Sequence, residues 1–188
     1  RKNNIMDIEE YSPISTLKVK ETLLKKSKYP FIDVHGHPFP TVISDLSELV
    51  SEMDSLNMAF MINLSGFRGL YLKKSLENVK KNAPTRFGLF LNLDFEKIDE
   101  KDFQSNTLKI INNAYNQGVM GLKIYKSLGL TDKDSRGNRI KINDPRLKPI
   151  WELCGKLKIP ILIHSGEPEP FWFNKDKYNE RWLELRQK

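Results

Sequence analysis

Two of the three histidines in this 188-residue chain stand two residues apart, in Phe31-Ile32-Asp33-Val34-His35-Gly36-His37. The apolar run alternates with Asp33, His35 and His37, which predicts a strand, and residues two apart on a strand share a face. His35 and His37 therefore project together. Gly36 between them has no Cβ and lets the backbone bend, so both imidazoles can converge on one divalent ion at the strand end. An ion held by neutral imidazoles with one open coordination position lowers the pKa of a bound water from 15.7 to about 7. That shift is worth roughly 12 kcal/mol in making hydroxide available at neutral pH. The plainer alternative for an isolated His-x-His is a pair of surface histidines beside a turn.

Lys123 is the next residue whose type and place could do chemistry. In Gly121-Leu122-Lys123-Ile124-Tyr125 its neighbours Leu122 and Ile124 look core-facing. The ammonium is thereby aimed into the interior, where an unpaired charge is costly and a partner is required. That partner is either an anionic substrate group or an inward acid such as Asp94 or Asp33 in a structural salt bridge. Arg68, just after the second strand, is a weaker candidate for the same anion, with a solvated loop residue as its alternative.

These residues need strands to carry them, and the chain from Phe31 onward supplies strands and helices in alternation. Ser44 can cap a helix with Leu46, Leu49, Val50, Met53 and Leu56 at helical spacing, followed at once by a strand from Met58 to Ser65. A second helix puts Leu72, Leu76, Val79 and Ala83 on one stripe, stops at Pro84 and leads to a strand from Phe87 to Asp94. The third, around Ser105 to Gln117, turns Leu108, Ile111, Ala114 and Tyr115 inward, ends at Gly118 and leads to Met120–Tyr125. Pro149 opens a fourth with Ile150, Trp151, Leu153, Cys154 and Leu157, and Pro160 introduces a fifth strand, Ile161 to His164. A last helix is expected around Asn179 to Arg186.

Alternation of this kind makes an α/β protein with a parallel sheet. Five units average about 30 residues each, and eight would give the ~250 residues typical of a TIM-type (β/α)8 barrel. Parity favours the barrel. Asp33, His35 and His37, then Asn63 and Ser65, Asn92 and Asp94, Lys123 and Tyr125, and finally His164, lie on one face near the C-terminal ends of their strands. Active sites of such barrels are built at that mouth.

Composition narrows the classes. With 39% hydrophobic residues the chain has no apolar run long enough to span a bilayer, and its one cysteine, Cys154, excludes an internal disulfide and reads as a core thiol. The net charge of +7 is spread over helix faces and loops in short lysine pairs, without zinc-finger spacing or an aromatic-basic platform. No nucleic-acid or membrane partner is expected. Residues 1–30, with Ser12-Pro13 and Tyr29-Pro30, read as an extended arm on the surface of a domain formed by residues 31–188. No initiator Met and no signal-peptide core precede the first strand, so the compartment stays open, a cytoplasmic one being favoured over a periplasmic or secreted one.

The first-strand segment, Gly121-Leu122-Lys123-Ile124-Tyr125 and Pro160-Ile161-Leu162-Ile163-His164-Ser165-Gly166 together resemble the amidohydrolase superfamily, in its amidohydrolase-related (amidohydrolase-2) branch. The resemblance covers residues 31 to 188. It implies that His35, His37 and His164 are metal ligands, with zinc the expected divalent ion. It also implies a histidine after a sixth strand and an aspartate after an eighth, the latter a ligand and proton-transfer group. Neither is reached by Lys188, so the sequence resembles an N-terminal portion, about five units of an incomplete barrel, and the catalytic residue is unknown. The implied function is metal-dependent hydrolysis of a C–N or C–O bond (amide, lactone or ester) in a small substrate, with Lys123 and Arg68 as substrate-binding candidates for an anionic group. Nonoxidative decarboxylation by the same superfamily, or a noncatalytic metal-binding module, are the alternatives.

Three expectations concern the surroundings. The long loop from Lys126 to Asp144 should overhang the mouth, with a turn at Arg136-Gly137-Asn138 inside a small hairpin. Glu167, Phe171 and Trp172 either wall a substrate pocket or pack only against the last helix. Unpaired edges on the first and fifth strands should expose Met61, Phe90 and Leu162 and favour self-association, a homo-oligomer included, with no hydrolysis unless the remaining units are supplied.

Overall fold

Short apolar runs separated by amphipathic segments become parallel strands joined by helices, because a parallel crossover needs a long connection and a helix buries the sheet's outer face. In the computed structural model, which describes residues 6–42, 45–65 and 67–186, the elements alternate as β1 (Phe31–Gly36), α1 (Ser47–Leu56), β2 (Met58–Asn63), α2 (Gly69–Asn82), β3 (Phe87–Asn92), α3 (Phe103–Asn116), β4 (Gly121–Ile124), α4 (Lys148–Leu157) and β5 (Ile161–Ile163). The five strands pair in chain order, all parallel. They form a curled half-barrel, the α/β architecture of an incomplete (β/α) barrel.

The chain divides into two compact units, residues 24–164 and a second made of residues 1–23 with 165–188. The half-barrel lies wholly in the first. In the second, the N-terminal residues expected as a surface arm hydrogen-bond to the C-terminal ones: Ser12 N donates to the Lys177 carbonyl at 3.0 Å and Ile14 N to the Tyr178 carbonyl at 2.9 Å. Buried Asn179 donates to the carbonyls of Pro170 and Asn174, and Trp182 and Leu185 supply the apolar contacts. The last helix is one turn only, Trp182–Leu185.

Each helix of the half-barrel follows its apolar stripe. On α2, Leu72, Leu76 and Val79 are buried as their spacing requires. On α3 the buried stripe is Thr107, Ile111 and Ala114, and Tyr115, expected inward, is exposed because it sits a further 100° around the axis. Gly118 takes φ +101° past the end of that helix, the left-handed position expected of it. Ser44 lies outside the described residues. The start of α1 is instead organised by Asp45, whose carboxylate accepts from Ser47 N and Ser47 Oγ, both at 2.9 Å.

The inner face closes better than an open sheet suggests. Met61 and Phe90, expected to be exposed by the unpaired edges, are buried. A Cβ on Gly36 would stand 2.7 Å from the Met61 sulfur, and one on Gly121 would stand 2.4 Å from the Phe90 ring. Each large side chain thus folds over the gap left by a glycine on the neighbouring strand. The outer face of β1 differs from the parity expectation. Helices α1 and α2 pack on β2 and β3, while Ile32 and Val34, expected to face helices, are 59% and 60% exposed.

Candidate functional site

The strand ends sort their polar residues into two groups. Members of the first tie neighbouring strands together. Asn63, buried, donates from Nδ2 to Thr41 Oγ1 at 2.8 Å and to the Pro38 carbonyl at 3.1 Å, and Thr41 in turn meets Ser75 Oγ at 3.1 Å. Asn92 Nδ2 donates to the Lys123 carbonyl at 2.9 Å, and the Tyr125 hydroxyl donates to the Leu64 carbonyl at 3.2 Å. These side chains satisfy backbone carbonyls and a hydroxyl where the sheet pairing stops, and so hold the loops of the mouth in place.

Members of the second group are left for chemistry. His35 and His37 leave the end of β1 with ring centroids 5.3 Å apart and planes tilted by 54°. Asp33 accepts a 2.8 Å hydrogen bond from the backbone N–H of His35, fixing the strand's last turn. The pKa of His37 is lowered, first by burial and then by the charges of His35, Lys123 and His164, with Asp33 acting in the opposite sense. His37 is thus the point where β1, β4 and the residue after β5 converge electrostatically, and its imidazole is held toward the neutral, ligating form.

The histidine pair meets a simple geometric test for a shared ion. A ligand bond of about 2.0–2.1 Å places each ring centre about 3.2 Å from the ion, and a tetrahedral angle then separates two centres by about 5.2 Å. The observed 5.3 Å matches. His164 follows β5, its backbone N–H donating to the Ile124 carbonyl at 3.0 Å. Among the described residues, no three His, Cys, Asp or Glu side chains stand close enough to form a ready metal cage. Two of the three expected ligands are therefore brought together, and the third acts on His37 as a nearby charge.

Lys123 is fully buried on β4 between Leu122 and Ile124, and its Nζ has no hydrogen-bond partner among the described residues. The register sets it level with Asn92 on β3 and Leu162 on β5. Neither acid expected as a structural partner engages it: Asp94 is taken by Arg68 at 3.1 Å, and Asp33 accepts from His35 N. The Tyr125 ring lies 5.9 Å from the ammonium. Burial lowers the Lys123 pKa and raises that of Tyr125. Just past the end of β2, Ser65 carries a second buried side-chain atom, Oγ, that has no hydrogen-bond partner among the described residues, at a position that parity had placed at the mouth.

The loop expected to overhang the mouth is tied down. Leu128 and Ile140 are buried, and a single antiparallel bridge, Lys133 to Arg139, closes the turn at Gly137. Arg146 grips Asp144 through Nε at 2.9 Å and Nη2 at 2.6 Å and also pairs with Asp99. Its guanidinium is held firmly protonated by these acids. Sequence reading missed this anchor, because Asp99, Asp134, which lies 3.8 Å from Arg146 Nη2, and Asp144 are too scattered along the chain to show periodicity.

Trp172, in the second unit, is largely exposed. Among the described residues, no helix is long and apolar enough to cross a membrane. Fold and strand ends thus define an α/β half-barrel with a histidine pair and a buried lysine at the C-terminal ends of its strands. No protein-family model matches the chain, and no curated protein matches it in sequence.

Proposed function

We propose that this chain carries the metal-binding part of an amidohydrolase-type hydrolase acting on a small anionic substrate. The observation that carries the reading is the paired imidazoles of His35 and His37 at a separation suited to one ion, with the charge of buried Lys123 felt at His37. When bound, a divalent ion, zinc being the expected one, would supply water of lowered pKa and polarise an amide, lactone or ester carbonyl. His35 and His37 would hold it, with His164 completing the set from the residue after β5.

The chain's own contribution is orientation and charge. Asp33 fixes the backbone from which His35 projects. Lys123 offers a charge that can meet a substrate carboxylate from within the sheet, and desolvation of that site strengthens the contact. A charged hydrogen bond of this kind contributes about 1.5–3 kcal/mol. The same cation would suit nonoxidative decarboxylation of an acid, which keeps that reaction as the second reading.

The test begins with metal rather than turnover. Dialysis against zinc or cobalt followed by elemental analysis and visible spectroscopy should give close to one ion per chain. His35→Ala, His37→Ala and His164→Ala should each fall well below it. Assayed with the expected remaining barrel units supplied, Lys123→Met should keep the metal while lowering kcat/KM for carboxylate-bearing esters or amides about 10- to 100-fold more than for neutral ones. Unchanged metal content in all three histidine variants would overturn the proposal.

A further inference from the structure

A cavity of about 430 Å³ opens between the first turns of α2 and α3, beyond the C-terminal end of β3, and it includes none of His35, His37, Lys123 or His164 in its lining. Leu93, Phe103 and Ile110 supply its apolar lining, and Arg68 and Asp94 line it as well. The same two residues also border a smaller polar cavity of about 180 Å³ that includes Ser127 and Asp132. The Arg68–Asp94 pair, 3.1 Å apart and partly exposed, is therefore the partition between an apolar and a polar compartment.

We infer that the larger cavity is a binding site for a small organic monoanion with an apolar body, a ring-bearing or branched carboxylic acid, whose carboxylate is received by Arg68. A volume of this order lies within the range of small-molecule sites, and apolar walls with a few polar groups at one end are their usual build. Charge decides the sign of the ligand. Both acids of its lining are engaged already: Asp94 holds Arg68 through Oδ2 and accepts from Glu96 N through Oδ1, and Glu100 pairs with Lys97 at 3.4 Å. The guanidinium carries five donors in a planar fork suited to a carboxylate and commits one contact to Asp94.

The helices add to this preference. Arg68 is the N-cap of α2 and makes no side-chain cap, so the first amides of a 14-residue helix have no intrahelical acceptor, and the first turn of 14-residue α3 lines the same space. At Gly69, with φ +55°, an added Cβ would meet nothing within 4 Å, so the backbone of that first turn is open to a ligand. Aligned helix ends and an under-used guanidinium favour an anion over a cation at one end of an apolar space.

The site does not depend on the hydrolase reading, and one titration separates the two. The probe is 4-(trifluoromethyl)benzoate, with 4-(trifluoromethyl)benzyl alcohol as its neutral counterpart, followed by fluorine NMR and by amide shifts of the isotope-labelled chain. The acid should bind saturably and more tightly than the alcohol, with shifts concentrated at Gly69 and Asn106. Arg68→Gln should weaken the acid, read from the shifts at Gly69 and Asn106, about tenfold and leave the alcohol unchanged. Since Arg68 is more than half exposed, its substitution does not threaten the fold. Shifts at His35 and His37 with none at Gly69 and Asn106, binding at Gly69 and Asn106 that Arg68→Gln leaves unweakened, or no saturable binding would each overturn the inference.

Discussion

Replacing Lys123 with Met should make the ligand-free protein more stable. The side chain is 0% exposed and its Nζ has no hydrogen-bond partner among the described residues, so folding strips water from an amine and returns nothing to it. A buried polar group in that position costs about 1–3 kcal/mol, whereas Met fills nearly the same volume and keeps the packing of the aliphatic stem. A central value of about 2 kcal/mol raises the unfolding midpoint by roughly 4–8 °C for a chain of this size. The pH dependence fixes the cause. Burial lowers the Lys123 pKa in the folded state, so between that value and the ordinary 10.5 the unfolded chain binds more protons and stability rises with pH. The penalty is fully present below the folded pKa and is relieved as pH climbs through that window, so the advantage of the Met variant should shrink toward pH 10. Thermal unfolding followed by circular dichroism at pH 7 and at pH 9.5 measures both effects. A destabilised Met variant, or a gain that does not change with pH, would show that the ammonium has a partner and that the reasoning fails.

Two further outcomes test the packing. Gly121→Ala should destabilise by about 1–3 kcal/mol in chemical denaturation, because the new methyl would stand 2.4 Å from the Phe90 ring, and Phe90→Leu in the same chain should recover part of the loss. The Cys154 thiol, buried on α4 with its pKa pushed up to about 11, should react with a thiol reagent at pH 8 far more slowly than a free cysteine, and as fast as one once urea unfolds the chain.

The strand and helix pattern was legible because its physics is local. Apolar spacing placed Leu72, Leu76 and Val79 inward and put Cys154 in the core, as found. What sequence could not supply was everything set by a neighbour distant in the chain. Burial of Met61 and Phe90 depends on glycines at positions 36 and 121 of other strands. Exposure of Ile32 and Val34 depends on which strands the helices cover, which a period-two pattern does not encode. Within the site, parity correctly grouped Asn63, Asn92, Lys123 and Tyr125 at one end of the sheet but could not sort them. Only hydrogen-bond partners show that Asn63, Asn92 and Tyr125 serve neighbouring strands while Lys123 serves none.

That sorting links stability to function at this mouth. Asparagines and a tyrosine that satisfy carbonyls stabilise the strand ends at little cost, whereas a buried lysine unpartnered among the described residues and, at acid pH, a His37 imidazole whose protonation is opposed by its surroundings both work against folding. Two such penalties fall on adjacent groups, since the charge of Lys123 itself helps to lower the pKa of His37. A bound cation between the imidazoles and an anion on the lysine would turn each of these penalties into an attraction. Ligands that bind only the folded state then stabilise it in proportion to their affinity, by about 2.7 kcal/mol at a hundredfold excess over Kd. Zinc together with a small carboxylate should therefore raise the unfolding midpoint of the wild-type chain by more than the sum of their separate effects. In Lys123→Met that surplus should vanish while the effect of zinc alone persists; a surplus that survives the substitution would place the carboxylate elsewhere.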